Sequence, residues 1–328
     1  MTAAAASLRS MDVTSVRRLF REQPVIPLLA LLVVLILLYE FARPGVVGPD
    51  WFGVIVRAAI PLAILGGCQT LTMLTGGIDL SVGAIASMSG FLTASFVAGA
   101  GWEVGAATAL IAALLAGLIS GIGVGVFRVH PLIMTLGVAL VVLGLANAWQ
   151  IITVTSFTGV PQLLRTLGSD RAFEVFPYSL IVFVPVALAI LIGLRRTGFG
   201  RLLFAIGDNP TAARLSGARS WQVLIVLYVI SALLAAIAGF LLTGLTNVAS
   251  VQLAESYVLP SVAAAVIGGT SIAGGRGGYG GTIVGALILT VISALLTALG
   301  YPEAVRLILF GAIVVGVAAG YTRVTQEA

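Results

Sequence analysis

One aspartate interrupts an otherwise apolar stretch, in the segment Thr75-Gly76-Gly77-Ile78-Asp79-Leu80-Ser81. A carboxylate in that setting needs a wet cavity or partner groups on the protein, because lipid penalises an unpartnered charge heavily. The paired glycines, Gly76 and Gly77, let the backbone bend and let another helix approach closely. Two chemistries fit this knot. As a helix break lining a substrate path, it offers Asp79 and Ser81 as hydrogen-bonding groups for a polar solute. As a cap, Asp79 or Ser81 closes the start of the following helix at a membrane surface and touches no substrate.

Two further polar interruptions carry motifs. The stretch Arg195 to Ser220 holds Asp208-Asn209-Pro210, an N-cap followed by a proline, so Thr211 to Leu215 is predicted to be a short helix kept solvated by Arg214 and Arg219. Such a helix between two spans can dock a soluble partner, or it can be a connecting loop that carries positive charge. The stretch Ala265 to Gly281, AVIGGTSIAGGRGGYGG, is glycine-rich but lacks the Gly-Lys-Ser/Thr ending of a phosphate loop. It reads as a tight turn with Arg276 at the membrane edge, or as a re-entrant gate.

No paired-carboxylate, Ser-His-Asp or Cys-His constellation stands at usable spacing, so the chain shows no enzymatic machinery. Cys68 and His130 are the sole residues of their types. They exclude an internal disulfide and leave no basis for a metal site or a cofactor. His130, beside Pro131 at a span start, reads as an interfacial residue.

The elements that must position these motifs are membrane helices. Of the 328 residues, 59% are hydrophobic and 9% charged, and the mean hydropathy is +1.15. A soluble domain carries about a quarter charged residues, so this is an all-α polytopic membrane protein. With about 20 apolar residues per span, candidate spans run over 24–41, 52–74, 81–99, 104–127, 132–153, 178–194, 221–246, 257–269, 280–299 and 304–319. The polar interval 154–177 has room for a short surface helix, and the eighth span is short enough to be re-entrant, as is the broken second one. The expected organisation is an N-terminal tail over 1–23, a transmembrane domain over 24–320 with the polar segment 195–220, and a tail over 321–328.

About ten spans place both termini on one side. All 17 basic residues are arginine. With both ends inside, twelve fall in inner segments and five (43, 57, 165, 171 and 306) in outer ones, in line with the positive-inside rule. The net charge of +5 therefore reflects cytoplasmic loops rather than nucleic-acid binding. The same orientation puts the knot near the cytoplasmic side, which favours capping or gating. The forty glycines, with small-residue runs such as 112–125, suit close helix packing. Acidic or basic groups inside spans are nearly absent apart from Asp79, so a proton- or sodium-coupled carrier lacks its usual parts. Coupling energy then enters through a partner.

Three blocks in order resemble the membrane-spanning permeases of bacterial ABC importers for monosaccharides, the ribose-type permeases. They are TGGIDLSVGAI at 75–85, the run 199–217 and AAVIGGTSIAGGRGGYGGTIVGAL at 264–287, joined by PLIMTLG at 131–137. Within the second block Asp208 stands where the family usually has a second glycine, and Ala218, just after it, replaces an isoleucine. The resemblance covers roughly Phe52 to Arg323. It implies an ABC-type ATPase dimer on the cytoplasmic face, a periplasmic or lipid-anchored sugar-binding protein, and a second permease copy or paralogue in the inner membrane. It also implies that Gly207, Asp208, Asn209, Pro210, Ala212, Ala213, Arg214, Leu215 and Gly217 form the element coupling to the ATPase. Gly76, Gly77, Asp79, Ser81, Gly268, Gly269, Gly274 and Gly275 are then candidate helix-break or gate residues. Asn147, Trp149, Gln150, Asn247 and Gln252, near outer span ends, are candidates for the substrate path. The alternatives are a branched-chain amino-acid importer permease, against which GGIDLS argues, a stand-alone carrier or channel, and a membrane enzyme.

Overall fold

Apolar sequence in lipid must satisfy its backbone hydrogen bonds within each segment, and helices do so. The computed structural model describes residues 25–97, 99–153, 159–173 and 175–326. Its helices are α1 Val25–Ala42, α2 Pro49–Met73, α3 Val82–Ser95, α4 Trp102–Gly125 and α5 Pro131–Thr153. They continue with α6 Gln162–Ser169, α7 Ser179–Arg196, α8 Gly198–Asp208, α9 Pro210–Leu215 and α10 Ser220–Thr246. A 3-10 turn at Glu255–Tyr257 leads into α11 Val258–Ile267, followed by α12 Tyr279–Ala298 and α13 Glu303–Gln326. Within the polar interval, α6 is the expected short helix. A two-rung antiparallel pair, β1 Arg171–Ala172 with β2 Phe176–Pro177, follows it.

Among the described residues, seven helices are long and apolar enough to cross a membrane: α1, α2, α4, α5, α7, α10 and α12. The expected third span corresponds to α3, at 14 residues, and the eighth to α11, at 10 residues. At 1.5 Å per residue they reach about 21 and 15 Å, short of the roughly 30 Å hydrocarbon core. The expected third span is therefore corrected to a half-helix, and the second span is not itself broken: α2 runs unbroken to Met73 despite Pro61. The expected tail 1–23 lies outside the described residues. At the other end α13 continues as helix to Gln326.

Helix α10 is the hub, packed by α4, α3, α2 and α6. Its partner α4 carries Gly117, Gly121 and Gly125, which lie on one face at four-residue spacing. A Cβ at these positions would come within 2.7 Å of the Tyr228 carbonyl oxygen, 2.6 Å of the Ile225 Cα and 2.8 Å of the Trp221 carbonyl oxygen. The falling order of those contacts makes α4 and α10 antiparallel, backbone against backbone, as the small-residue run predicts. On another face of α10, Gly239 meets Ala86 and Thr243 meets Gly90, so α3 runs parallel to α10. All 14 residues of α3 are buried. By contrast α1 and α5 present broad exposed apolar faces, including Leu37 at 63% and Leu140 at 63%, suited to lipid.

Candidate functional site

The knot begins where α2 ends. Its turn bends at Gly76, whose φ of 79° lies in the left-handed region that side chains disfavour. The Gly76 and Gly77 amides close the turn onto the Met73 and Thr72 carbonyl oxygens. The chain then doubles back beside α2. Gln69 fixes this return, its side-chain amide donating to the Asp79 carbonyl at 2.8 Å and its oxygen accepting the Asp79 amide at 3.2 Å. A second strut comes from α5, where the Thr135 hydroxyl accepts the Leu80 amide at 3.0 Å.

Asp79 is 1% exposed. One carboxylate oxygen accepts from the Ser81 amide at 3.0 Å and the Ser81 hydroxyl at 2.5 Å. The other accepts the Ser231 hydroxyl of α10 at 2.7 Å. Ser231 lies eleven residues beyond Ser220, about 16 Å along its helix. Thr75 and Gly76 thus sit at the end of the bundle, while Asp79 lies deep among four helices. Ser81 precedes α3 without a side-chain cap bond, because its hydroxyl is given to Asp79. The carboxylate thus closes the start of α3 from a buried position rather than from the protein's surface. Sequence reading missed Gln69, Thr135, Ser231 and Tyr228, whose hydroxyl is buried without a partner beside Gly77. A glutamine inside an apolar span was the available signal.

The knot meets both other motifs. The Gly275 amide donates to the Leu74 carbonyl at 3.0 Å. Gly207, at the end of α8, packs so closely that a Cβ would collide with that same carbonyl oxygen and lie 2.5 Å from the Gly275 nitrogen. A Cβ at Gly274 would be 3.0 Å from the Gly76 nitrogen and from the Gly207 oxygen, and one at Gly275 would be 3.0 Å from the Asp208 Cα. Gly269, Gly274 and Gly275 all hold positive φ. Gly268 instead packs on Gly281 and Thr282 of α12, fixing α11 to α12. Segments about 130 and 200 residues from the knot thus share one backbone junction with it.

From that junction α9 projects. The Asn209 side chain caps it, accepting from the Thr211 and Ala212 amides at 3.0 Å each, and Pro210 occupies its first position. Ala213 is buried, whereas Ala212, Arg214 and Gly217 are exposed and Leu215 is 85% exposed. The capped helix thus holds an apolar side chain in solvent.

The outer candidates are not gathered into one site. Trp149 stacks on Phe96 with ring centroids 5.6 Å apart and donates to the Ser95 hydroxyl at 3.0 Å, closing the end of α3. Asn147 is exposed and donates to the Leu143 carbonyl of its own helix. Asn247 ends α10 in a left-handed conformation, and Gln252 is exposed in the following loop. Among the described residues no hydrogen bond joins Asn147, Trp149 or Gln150 to Asn247 or Gln252.

The family described as branched-chain amino acid transport system / permease component matches residues 51–318. The ribose import permease protein of Bacillus subtilis is 34% identical over 86% of this chain and 88% of its own length. The fructose import permease protein of Rhizobium meliloti is 32% identical over 80% of this chain and 74% of its own. The autoinducer 2 import system permease protein of Yersinia enterocolitica is 32% identical over 88% and 80%. No solved structure matches.

Proposed function

This chain belongs to the permease family of binding-protein-dependent import systems, and from that premise we propose that it carries a monosaccharide or similar small polyol across the inner membrane. As a family member it is a multi-pass transport component and not an enzyme, with ATP hydrolysis in a separate chain. Relatives named for ribose and fructose support the sugar class over branched-chain amino acids, the second reading that the family's description keeps in view.

One observation carries the mechanism. The knot, the end of α8 and the glycine-rich loop share a backbone junction, and α9 stands on it with Leu215 exposed. We assign Gly207 to Gly217 as the segment that meets an ATPase dimer. Motion of α9 then passes through Gly207 to Leu74 and Gly275, and from there to the half-helices α3 and α11, without crossing a flexible linker. Gly76, Gly77, Asp79, Ser81, Gly268, Gly269, Gly274 and Gly275 form the gate side of this lever. The alternating-access cycle draws its bias from the ATPase contact. A sugar-binding protein delivers solute to the opposite end, where Asn147, Gln150, Asn247 and Gln252 border the path, and a second permease copy or paralogue completes it.

The topology proposed for this cycle keeps about ten spans with both termini cytoplasmic. It counts α3 and α11 as half-crossings and α13 as the last span. The antiparallel α4–α10 pair and the inner-side arginine excess both support it. The test is reconstitution in liposomes with the cognate ATPase and binding protein. ATP-dependent uptake of a labelled pentose or hexose is expected. Uptake of leucine in its place, or sugar flux through this chain alone without ATP, overturns the reading.

A further inference from the structure

Beside the coupling helix, at the same end of the bundle, lies a groove of about 740 Å³ between the last turn of α4 and the first turns of α5 and α10. Arg128, Arg214 and Arg219 line it, and no carboxylate does. Among the described residues none of the three forms an ion pair; Arg214 alone has a side-chain contact, to the Thr211 hydroxyl at 3.5 Å. Pro131 and Ser220, at the start of 23- and 27-residue helices, also face the groove, so two helix N-termini add their partial positive charge. Asp208, the acid nearest in sequence, lies against Gly275 instead.

The floor of the groove is apolar, with Val124, Val126 and Leu224. Trp221, which also lines it, is 47% exposed, and Phe127, between the lining residues Val126 and Arg128, is 74% exposed. Aromatics at that level mark the membrane interface. Cations above an apolar wall, at the ends of spans, match an amphiphile with an anionic head. We propose that this groove binds the headgroup of an anionic phospholipid, with acyl chains running down the exposed faces of α4 and α10. The chain's own N-terminal segment is a poor occupant, since residues 1–24 carry Arg9, Arg17, Arg18 and Arg21 against Asp12 and Glu22. The site rests on the membrane-spanning character of the chain and not on which solute it carries.

The test is native mass spectrometry of the full chain in a nonionic detergent, with added phosphatidylglycerol or phosphatidylcholine. Phosphatidylglycerol is expected to be retained in preference. Arg128→Gln and Arg219→Gln should each weaken that retention about fivefold, the usual worth of one basic side chain at an anionic surface. Arg165→Gln, on the exposed face of α6 at the far end of α10, should leave it unchanged. Equal retention of the two lipids by the unaltered chain overturns the proposal, whatever the variants do. So does an equal loss in the Arg165 variant, or recovery of Arg219→Cys cross-linked to the ATPase with the lipid excluded.

Discussion

Two polar interruptions of the same apolar chain, the knot at 75–81 and the α8–α9 segment at 207–217, end in opposite states. In the knot every strong polar group is spent inside: Asp79 holds Ser81 and Ser231, and Gln69 and Thr135 hold the backbone on either side. In α9 the side-chain bonds stay local, in the Asn209 cap, from Arg214 to the Thr211 hydroxyl and from Ser216 to the Ala213 carbonyl, and Leu215 is left 85% exposed. A polar segment that consumes its own donors and acceptors is architecture. One that is capped yet leaves an apolar side chain in solvent fits the contact proposed for it. The two touch at Gly207, which is where a structural element and a contact element can pass force.

Substitutions should separate the two regions by their effect on stability. The largest loss is expected from Asp79→Ala, which strands the Ser81 amide and hydroxyl and the Ser231 hydroxyl in the interior. At about 1–3 kcal/mol for each buried group left unpaired, the sum is on the order of 3–5 kcal/mol. Thermal unfolding in detergent should show it as a much lower midpoint and poor recovery. An unchanged midpoint would mean that the carboxylate does not tie α10 to the knot.

Gly207→Ala should follow, at about 2–3 kcal/mol, because its Cβ meets backbone rather than a yielding side chain. Gly217→Ala is the sharpening control. Unlike Gly207 it has positive φ, at 87°, and open space around it, so about 1 kcal/mol is expected from conformation alone. If the two alanine variants unfold together, the close approach at Gly207 is not holding the junction. Ser231→Ala should cost about 1–2 kcal/mol, since Asp79 keeps its Ser81 bonds. The smallest change, within about 0.5 kcal/mol, is expected for Leu215→Asp, an exposed position with no internal partner.

Much of this arrangement was legible before any coordinates. Seven of the expected spans followed from apolar length, α9 from Asn209-Pro210, and the knot from one carboxylate among apolar residues. What the order of residues does not contain is the direction in which the chain leaves a break. Gly76 turns the backbone into an extended return beside α2, which lifts Asp79 from the bundle end to the level of Gln69 and halves the next helix. The partners that make this possible, Thr135 and Ser231, are 55 and 152 residues away from the groups they hold. Single hydroxyls in apolar spans carry no local signal of that pairing. The outer candidates show the converse. Trp149 stood at the right height for a path, yet its indole is spent on Phe96 and Ser95, which proximity in sequence to Asn147 could not disclose.

We propose that α9 transmits the stroke of an ATPase to the knot through a contact made by Leu215. The most direct test measures ATP hydrolysis and sugar uptake side by side in liposomes containing the whole assembly with Leu215→Asp. The expected outcome is an assembled, thermally normal complex whose uptake per ATP hydrolysed falls by about tenfold or more, equivalent to about 1.4 kcal/mol or more of lost coupling. Uptake and hydrolysis both at the level of the unaltered assembly would contradict it.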